Sequence, residues 1–243
     1  MYNNFLNRLI HSIVLWLGFV VFFSSNVHGT VLAEKSRIIF QGKSVEKSLL
    51  LVNKSDYPVM VQSWVDDGDL QSTPDKAISP FVVIPPVFKM QPNEFATLRI
   101  IYSGSALPSD KESLYWLNIY EVPPVAANKE DEAAKVTLAL RTQIKVLYRP
   151  SSIPQRTEKS GQLIQFTREA DNLIVKNPTG YYQTVTTLTV CGQMYSQAGM
   201  LEPLSSIIIP APLTKACENN SKIQYTLIDD SGNEESHHQQ LSK

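Results

Sequence analysis

The sequence has few of the residue types that catalytic and metal sites require. Its 243 residues include four histidines and two cysteines, and the only histidines after the N-terminal segment are His237 and His238. No G-x-S-x-G elbow, H-E-x-x-H helix, Walker loop or dinucleotide fingerprint occurs. Carboxylate pairs at 66–67 and 229–230 lie in turn-like sequence, where aspartate is common. We therefore expect no enzymatic activity, no metal site and no cofactor.

The sequence also lacks an excess of charge of either sign. Removal of residues 1–29 takes away Arg8 and no acidic residue, which leaves 21 basic and 23 acidic side chains and a net charge of −2 with histidine neutral. A nucleic-acid-binding protein usually carries a strongly basic face. We therefore expect no nucleic-acid partner.

Long apolar runs are absent except near the N-terminus. There, Arg8 precedes an apolar run at 13–23, and small or polar residues follow as far as Gly29. This order is typical of a secretory signal, and the run is short for a membrane span. We predict a signal peptide over residues 1–29 that is cleaved after Gly29. Cleavage after Ala33 is the competing position, and an uncleaved anchor is the alternative to both.

No segment after the signal shows helical periodicity. Short strand-like runs alternate with turn clusters instead, at the spacing of about 8–12 residues that is typical of a β-sandwich. The predicted strands are 37–41, 48–53, 59–65, 81–84, 96–102, 114–122, 136–148, 163–168, 172–177, 183–190, 206–209 and 222–228. Seven of them precede residue 150, which is an immunoglobulin-like count.

The length after the signal, 214 residues, suits two domains of about 100 residues each. Pro150 and Pro154 indicate a hinge at 151–156 between a first domain at 30–150 and a second at 157–232. Residues 233–243 carry little apolar material and are predicted to form a disordered polar tail. The predicted fold class is therefore all-β, with two immunoglobulin-like sandwich domains.

Both cysteines, Cys191 and Cys217, lie in the second predicted domain. A metal site would need more ligands than this domain offers. In an oxidising compartment, a cysteine pair at this separation favours one disulfide. We therefore predict a bond between Cys191 and Cys217.

The strand predicted at 136–148 has the most informative pattern in the chain. Val136, Leu138, Leu140 and Ile144 share one parity, so one face of the strand requires an apolar partner. Lys145 follows on the opposite parity. Such a strand could hold an extended peptide by its edge and bind the charged end of that peptide. The alternative is an ordinary sandwich strand that packs on its own core.

Several short motifs occur in a fixed order along the first predicted domain. They are Val61-Gln62-Ser63-Trp64, Pro80-Phe81, Pro85-Pro86, Leu98-Arg99-Ile100, Leu107-Pro108-x-Asp110-x-Glu112-Ser113, Trp116-Leu117-Asn118, and Lys145 with Tyr148-Arg149-Pro150. In this order they resemble the first domain of the periplasmic chaperones of the chaperone–usher pilus pathway. The second half is similar more loosely, through Asn177-Pro178-Thr179 with Tyr181 and through Asp229-Asp230-x-Gly232.

The resemblance covers essentially the whole mature chain and implies a periplasmic chaperone with its two sandwiches in an L-shaped arrangement around a cleft. Such a chaperone binds pilus subunits that lack the last strand of their own sandwich, and it delivers them to the outer-membrane usher. It lends the final strand of its first domain, a mode of β-augmentation. The donor residues are then Val136, Leu138 and Leu140. We expect the exposed donor row to be covered by self-association, or by the 123–135 loop, when no subunit is bound.

The resemblance also implies two sets of charged site residues. Arg37 and Lys145 would anchor the C-terminal carboxylate of the subunit. Glu112, Arg149 and Asp230 would link the two domains, with Asp229 as the alternative to Asp230. The short loop at 123–135 resembles the branch of the family that serves rod-like pili.

Two other classes of protein are alternatives to a chaperone. A secreted carbohydrate-binding or adhesive module would display clustered aromatic residues in its loops, whereas Trp64 and Trp116 lie in strand patterns and are predicted to be core. A hydrolase on a sandwich scaffold is disfavoured because the sequence offers no histidine outside the polar tail.

Overall fold

A computed structural model describes residues 31–124, 139–169, 172–195, 199–210 and 221–241. The predicted signal peptide, the donor residues Val136 and Leu138, and Cys217 lie outside the described residues. No helix within the described ranges is long and apolar enough to cross a membrane. The described chain is almost entirely β-structure and confirms the predicted fold class.

The described residues of the N-terminal sandwich form nine strands. They are β1 (Val31–Ala33), β2 (Arg37–Gln41), β3 (Glu46–Asn53), β4 (Val59–Asp66), β5 (Phe81–Ile84), β6 (Val87–Met90), β7 (Phe95–Tyr102), β8 (Ser113–Val122) and β9 (Leu140–Arg149). One sheet has the order β1-β3-β7-β5, and the other has the order β2-β9-β8-β4-β6.

The core of this sandwich forms where the apolar parities of the two sheets face each other. Leu49 and Leu98 from the first sheet and Leu117 and Ile119 from the second are fully or almost fully buried. Alternate residues of a strand point to opposite faces of its sheet. Apolar residues at every second position therefore place their side chains in the layer between the two sheets. Each buried side chain of this size contributes about 1.5–3 kcal/mol relative to an exposed one.

In the C-terminal sandwich, the part of the chain that the structure describes forms one short helix and eight strands. They are α1 (Glu158–Gly161), β10 (Gln165–Glu169), β11 (Asn172–Asn177), β12 (Gln183–Val190), β13 (Gln193–Tyr195), β14 (Gly199–Leu201), β15 (Ser205–Pro210), β16 (Lys222–Ile228) and β17 (Glu234–Gln240). Its sheets are β10-β11-β15 and β13-β12-β16-β17, with β14 also paired to β12.

The prediction of a disordered tail at 233–243 is wrong for the described part of that segment. Residues 234–240 form β17, which pairs antiparallel with β16 along its whole length. His237 is buried and stacks on the Tyr225 ring at 5.3 Å between centroids. An edge strand is held by backbone hydrogen bonds and needs few apolar side chains. The polar composition of residues 234–240 therefore did not indicate a strand. The helical turn α1 was also not predicted.

The predicted disulfide is only partly visible. Cys191 lies in the turn between β12 and β13 and is disulfide-bonded. Its predicted partner, Cys217, lies outside the described residues. The pairing of the two cysteines therefore stays a prediction.

Candidate functional site

Among the described residues, strand β9 is paired along almost the whole of one edge and along only part of the other. On one side it pairs antiparallel with β8 from Leu140 to Tyr148. On the other side it pairs parallel with β2, but only from Lys145 to Arg149. Within the described part of the chain, no strand pairs with this second side over residues 140–144, which we call the open edge. An open edge presents backbone N–H and C=O groups to any extended chain that approaches it.

The open edge ends at two cationic side chains. Arg37 is the first residue of β2, and its register partner on β9 is Lys145. We call these two residues the cation pair. Among the described residues, no carboxylate lies within ion-pair distance of either side chain.

Arg37 is 9% exposed and lies against the C-terminal sandwich. Its Nη1 donates a hydrogen bond to the carbonyl oxygen of Ile228 at 3.3 Å, and its Nε has no acceptor among the described residues. Burial lowers the pKa of Arg37, and the negative charge of Asp230 opposes this shift. An arginine with an unused buried donor is suited to bind an anion.

Lys145 completes the cation pair from the neighbouring strand. Its Nζ donates to Oγ1 of Thr184 on β12 at 3.0 Å and lies 5.8 Å from the centre of the Trp116 ring. Burial and the charge of Arg37 lower the pKa of Lys145 to about 8. The buried Arg37 and the half-buried Lys145 are register partners and repel each other, and a carboxylate placed between them would offset that repulsion.

A second charged cluster joins the two sandwiches. Nε of Arg149, the last residue of β9, donates to Oε1 of Glu112 at 2.7 Å. Its Nη1 and Nη2 donate to the two carboxylate oxygens of Asp230 at 2.6 and 2.9 Å. Asp229 does not contact Arg149 in this way, because its carboxylate accepts the backbone N–H of Asn233 inside its own turn. The structure thus brings together Glu112, Arg149 and Asp230.

Glu112 adds two further contacts to this cluster, one through its backbone and one through its side chain. Its N–H donates to the carbonyl oxygen of Gly180 at 2.8 Å, and its carboxylate Oε2 accepts the N–H of Tyr182 at 2.8 Å. The Arg149 guanidinium lies 5.1 Å from the centre of the Tyr181 ring. Burial raises the pKa of Glu112, and the charge of Arg149 opposes this shift.

Gly232 allows the turn that carries Asp230 to approach β2. Its φ is +92°, which favours glycine, and a Cβ at this position would lie 2.8 Å from Oγ of Ser36. The motif Asp230-x-Gly232 therefore has a steric reason as well as an electrostatic one.

Of the predicted donor residues, only Leu140 is described. It shares a face of β9 with Ile144, but Leu140 is 44% exposed whereas Ile144 is 3% exposed and belongs to the core. The same apolar face is thus covered by the sandwich at one end and uncovered at the other. Ile144 thus packs on the core of its own sandwich, whereas the donor role of Leu140 stays a prediction.

Sequence reasoning missed several residues around these clusters. Thr184 accepts the Lys145 hydrogen bond, and Arg156 pairs with Glu235 at 3.1 Å. Neither belongs to a local motif, because Thr184 meets Lys145 across the two sandwiches and Arg156 meets a residue 79 positions further along the chain. Within the described ranges, no group of three or more His, Cys, Asp or Glu side chains could hold a metal ion.

The chain matches two protein-family models. Residues 30–154 match the family described as pili and flagellar-assembly chaperone, PapD N-terminal domain. Residues 160–239 match the family described as pili assembly chaperone PapD, C-terminal domain.

Curated relatives and solved structures agree with these matches. The chaperone protein MrkB of Klebsiella pneumoniae is 31% identical over 224 residues, which cover 90% of this chain and 94% of that protein. The chaperone protein FimB/FhaD of Bordetella pertussis is 34% identical, over 81% of this chain and 82% of its own length. The Pseudomonas aeruginosa CupB2 chaperone superposes with a TM-score of 0.73 at 31% identity, over 87% of this chain and 100% of that one. The Salmonella enterica SafB chaperone, solved with the SafA pilin, gives a TM-score of 0.76 at 26% identity, over 89% and 99%.

Proposed function

The chain belongs to the PapD family of pilus-assembly chaperones, and we propose that its open edge and cation pair together capture the C-terminal strand of a pilus subunit. It is a chaperone that binds and folds pilus subunits by donor-strand complementation and delivers them to the outer-membrane usher. The observation that carries the proposed site is that the open edge ends at the cation pair.

The proposed carboxylate contact implies how a subunit strand would lie. Its backbone pairs with residues 140–144, in line with β2 and running in the same direction as β9. Its terminal carboxylate then reaches Arg37 and Lys145, and the register of the ladder is fixed by that contact. Leu140, with Val136 and Leu138 preceding it along the chain, fills the apolar groove of the subunit. Each such side chain contributes about 1.5–3 kcal/mol when fully buried, before the cost of ordering is subtracted.

The remaining assignments are proposed on the same basis. Glu112, Arg149 and Asp230 hold the first domain (30–150) against the second (157–232), with 151–156 as the hinge, so that the cleft faces the open edge. The protein acts in the periplasm after removal of residues 1–29. Cleavage after Gly29 is favoured over cleavage after Ala33, because the latter would remove β1 and its pairing with β3. A Cys191–Cys217 disulfide is in keeping with that compartment.

The adhesive or carbohydrate-binding alternative has little support. Trp64 is buried and Trp116 is half-buried, so neither offers an exposed ring to a sugar. The matched families and relatives are chaperones.

A pair of aspartate substitutions on β9 tests the donor role. Leu140→Asp should leave the melting temperature of the chaperone almost unchanged, because Leu140 is exposed at its position. The same variant should lose the subunit, because the apolar groove cannot solvate a carboxylate. The measurement is thermal unfolding of the purified protein, beside co-purification of pilus subunits from the periplasm of the producing host.

Ile144→Asp is the matched control, since it changes the same face of the same strand at a buried position. It should unfold the N-terminal sandwich, because the new charge has no partner in the core. Unfolding of the Leu140 variant as well, or full subunit recovery with that variant, would contradict the donor role.

The depressed pKa of Lys145 predicts opposite pH dependences for binding and for stability. Above about pH 8 the Lys145 amine loses its charge in the free chaperone, so subunit affinity should fall, by up to about tenfold per pH unit. The unfolded chain keeps that proton up to about pH 10.5, so the stability of the free chaperone should rise over the same window. Subunit capture and thermal unfolding from pH 7 to pH 10 measure the two effects. The Lys145→Arg variant should bind the subunit more weakly but keep its charge, so its subunit capture should not change from pH 7 to pH 10. An equal fall in capture by that variant would refute the assignment of the pH dependence to Lys145.

A further inference from the structure

The face of β9 that points away from Leu140 carries a buried polar cluster. Arg141 lies at its centre, with Trp64 and Asp66 from β4 and Asn118 from β8 around it. We call these four residues the Asp66 cluster. Trp64 and Asp66 alternate with core residues of β4, so they lie on the outer face of the sheet rather than in the core that the sequence predicted for Trp64.

Every nitrogen of the Arg141 guanidinium has an acceptor. Nη2 donates to Oδ2 of Asp66 at 3.0 Å, Nε donates to Oδ1 of Asn118 at 2.8 Å, and Nη1 donates to the carbonyl oxygen of Leu70 at 2.7 Å. The guanidinium also lies 5.0 Å from the centre of the Trp64 ring. The Asp66 carboxylate is fully buried, and it also accepts hydrogen bonds from Trp64 Nε1 and Asn118 Nδ2.

The segment that follows β4 closes over this cluster. Asp66 accepts the backbone N–H of Gly68 at 3.0 Å, and the carbonyl oxygens of Asp69 and Ser72 also accept from Arg141. Gly68 has a φ of +99°, and a Cβ there would lie 2.8 Å from the Trp116 ring. The turn therefore lies directly on the sheet, and Arg141 is held by groups on two strands and on this turn.

This arrangement matters because the open edge has only one partner among the described strands. Within that part of the chain, residues 140–144 pair with β8 alone, so their backbone would fray if nothing else held them. The Arg141 side chain is a second attachment, on the face that an incoming strand does not contact. A binding edge that is ordered in advance loses less conformational entropy on binding.

We propose that Arg141 is a positioning residue for subunit capture: through the Asp66 cluster it holds the open edge in its paired, extended form before a subunit arrives. The role of Arg141 in subunit capture rests on the proposed function. The ordering of the open edge does not, because it can be measured in the free chaperone. Arg141 acts on the neighbouring backbone of β9 and does not contact the subunit.

Amide hydrogen exchange of the free chaperone tests the ordering directly. In Arg141→Ala, peptides over 139–144 should exchange about tenfold faster or more, because hydrogen bonds to charged groups shift a local opening equilibrium by at least that factor. Exchange in β12 and β16 should be unchanged. Arg99→Ala is the matched control, since Arg99 makes two 2.7 Å hydrogen bonds to Glu46 on the outer face of the other sheet. Unchanged exchange over 139–144, or an equal rise throughout both sandwiches, would overturn the proposal.

Two further variants cover the case in which a buried, unpaired Asp66 prevents folding. The double variant Asp66→Asn/Arg141→Ala leaves no buried charge without a partner and should show the same local increase in exchange. Arg141→Lys should also show it, because a single ammonium cannot reach the acceptors that the guanidinium joins. Protection of 139–144 in both of these folded variants would overturn the proposal.

The consequence for capture is measured separately. With the pilus subunit that co-purifies with the wild-type chaperone, Arg141→Ala should capture refolding subunit about tenfold more slowly, while complexes already formed dissociate at the wild-type rate. Slower capture by Arg141→Ala would contradict the positioning role if amide exchange over 139–144 stayed at the wild-type rate. Loss of capture by Leu140→Asp concerns the proposed function instead, so the two failures are distinguishable.

Discussion

Replacement of either Arg37 or Lys145 by alanine is expected to abolish recovery of the chaperone–subunit complex and to leave the chaperone folded. Truncation of one partner of a desolvated charge pair typically costs about 2–5 kcal/mol, and in the proposed complex each cation would meet the same carboxylate. In the free protein neither cation forms an ion pair with a described residue, so little is lost from the fold. Periplasmic co-purification beside thermal unfolding measures both expectations.

Two other variants sharpen this experiment. Lys145→Arg keeps the positive charge but replaces a compact ammonium with a planar, forked guanidinium. We therefore expect partial recovery of the chaperone–subunit complex at best. Lys89→Ala removes an exposed cation from β6, at the far edge of the same sheet, and should leave recovery intact. Unchanged co-purification with both alanine variants of the cation pair would remove the carboxylate-anchor assignment.

Arg149→Ala is expected to destabilise the chaperone by about 3–5 kcal/mol, because it leaves the buried Glu112 carboxylate without its cation. In a protein of this length such a loss lowers the melting temperature by roughly 10 °C. Burial alone would lower the pKa of Arg149, but the hydrogen bonds that it donates to Asp230 and the charge of Glu112 raise that pKa, so the guanidinium stays charged. Thermal unfolding at neutral pH is the measurement.

The pair formed by Arg99 and Glu46 is a matched control for burial. Its hydrogen bonds, at 2.7 Å each, are as short as those of Arg149, but its side chains are 52% and 36% exposed. Exposed pairs contribute about 0–1 kcal/mol, so Arg99→Ala should shift the melting temperature only slightly. Equal shifts for the two arginine variants would show that the Arg149 cluster contributes no more than a surface ion pair.

Sequence patterns predicted the strands well where alternation and turn signals coincide. The bounds of β2, β5, β11, β12 and β16 are those that the sequence predicts. Strand β6 was missed because Pro85-Pro86, which reads as a turn, directly precedes it. Strand β17 was missed because its side chains are polar, and α1 because four residues are too few for a periodicity.

The candidate site was predictable to a different extent. The order of motifs pointed to the cation pair and to the residues around Arg149, but no local pattern reveals which groups meet across the two sandwiches. Thr184 contacts Lys145 only because β12 lies beside β9 in space. Period two assigned Leu140 and Ile144 to one face, yet it could not tell that the sandwich covers only one of them.

Strand β2 and the open edge lie end to end along β9, so the position of β2 would limit how far a subunit strand can extend along β9. Strand β2 occupies the side of β9 from Lys145 onward, so a subunit strand cannot run past that point. At about 3.3 Å per residue, the described open edge measures roughly 16 Å back from this stop. A subunit shortened by one residue at its terminus must either leave its carboxylate short of the cations or shift by one position, which turns every side chain to the opposite face. The chaperone would thus select clients by where their chains end, in addition to how well their apolar groove fits the donor residues.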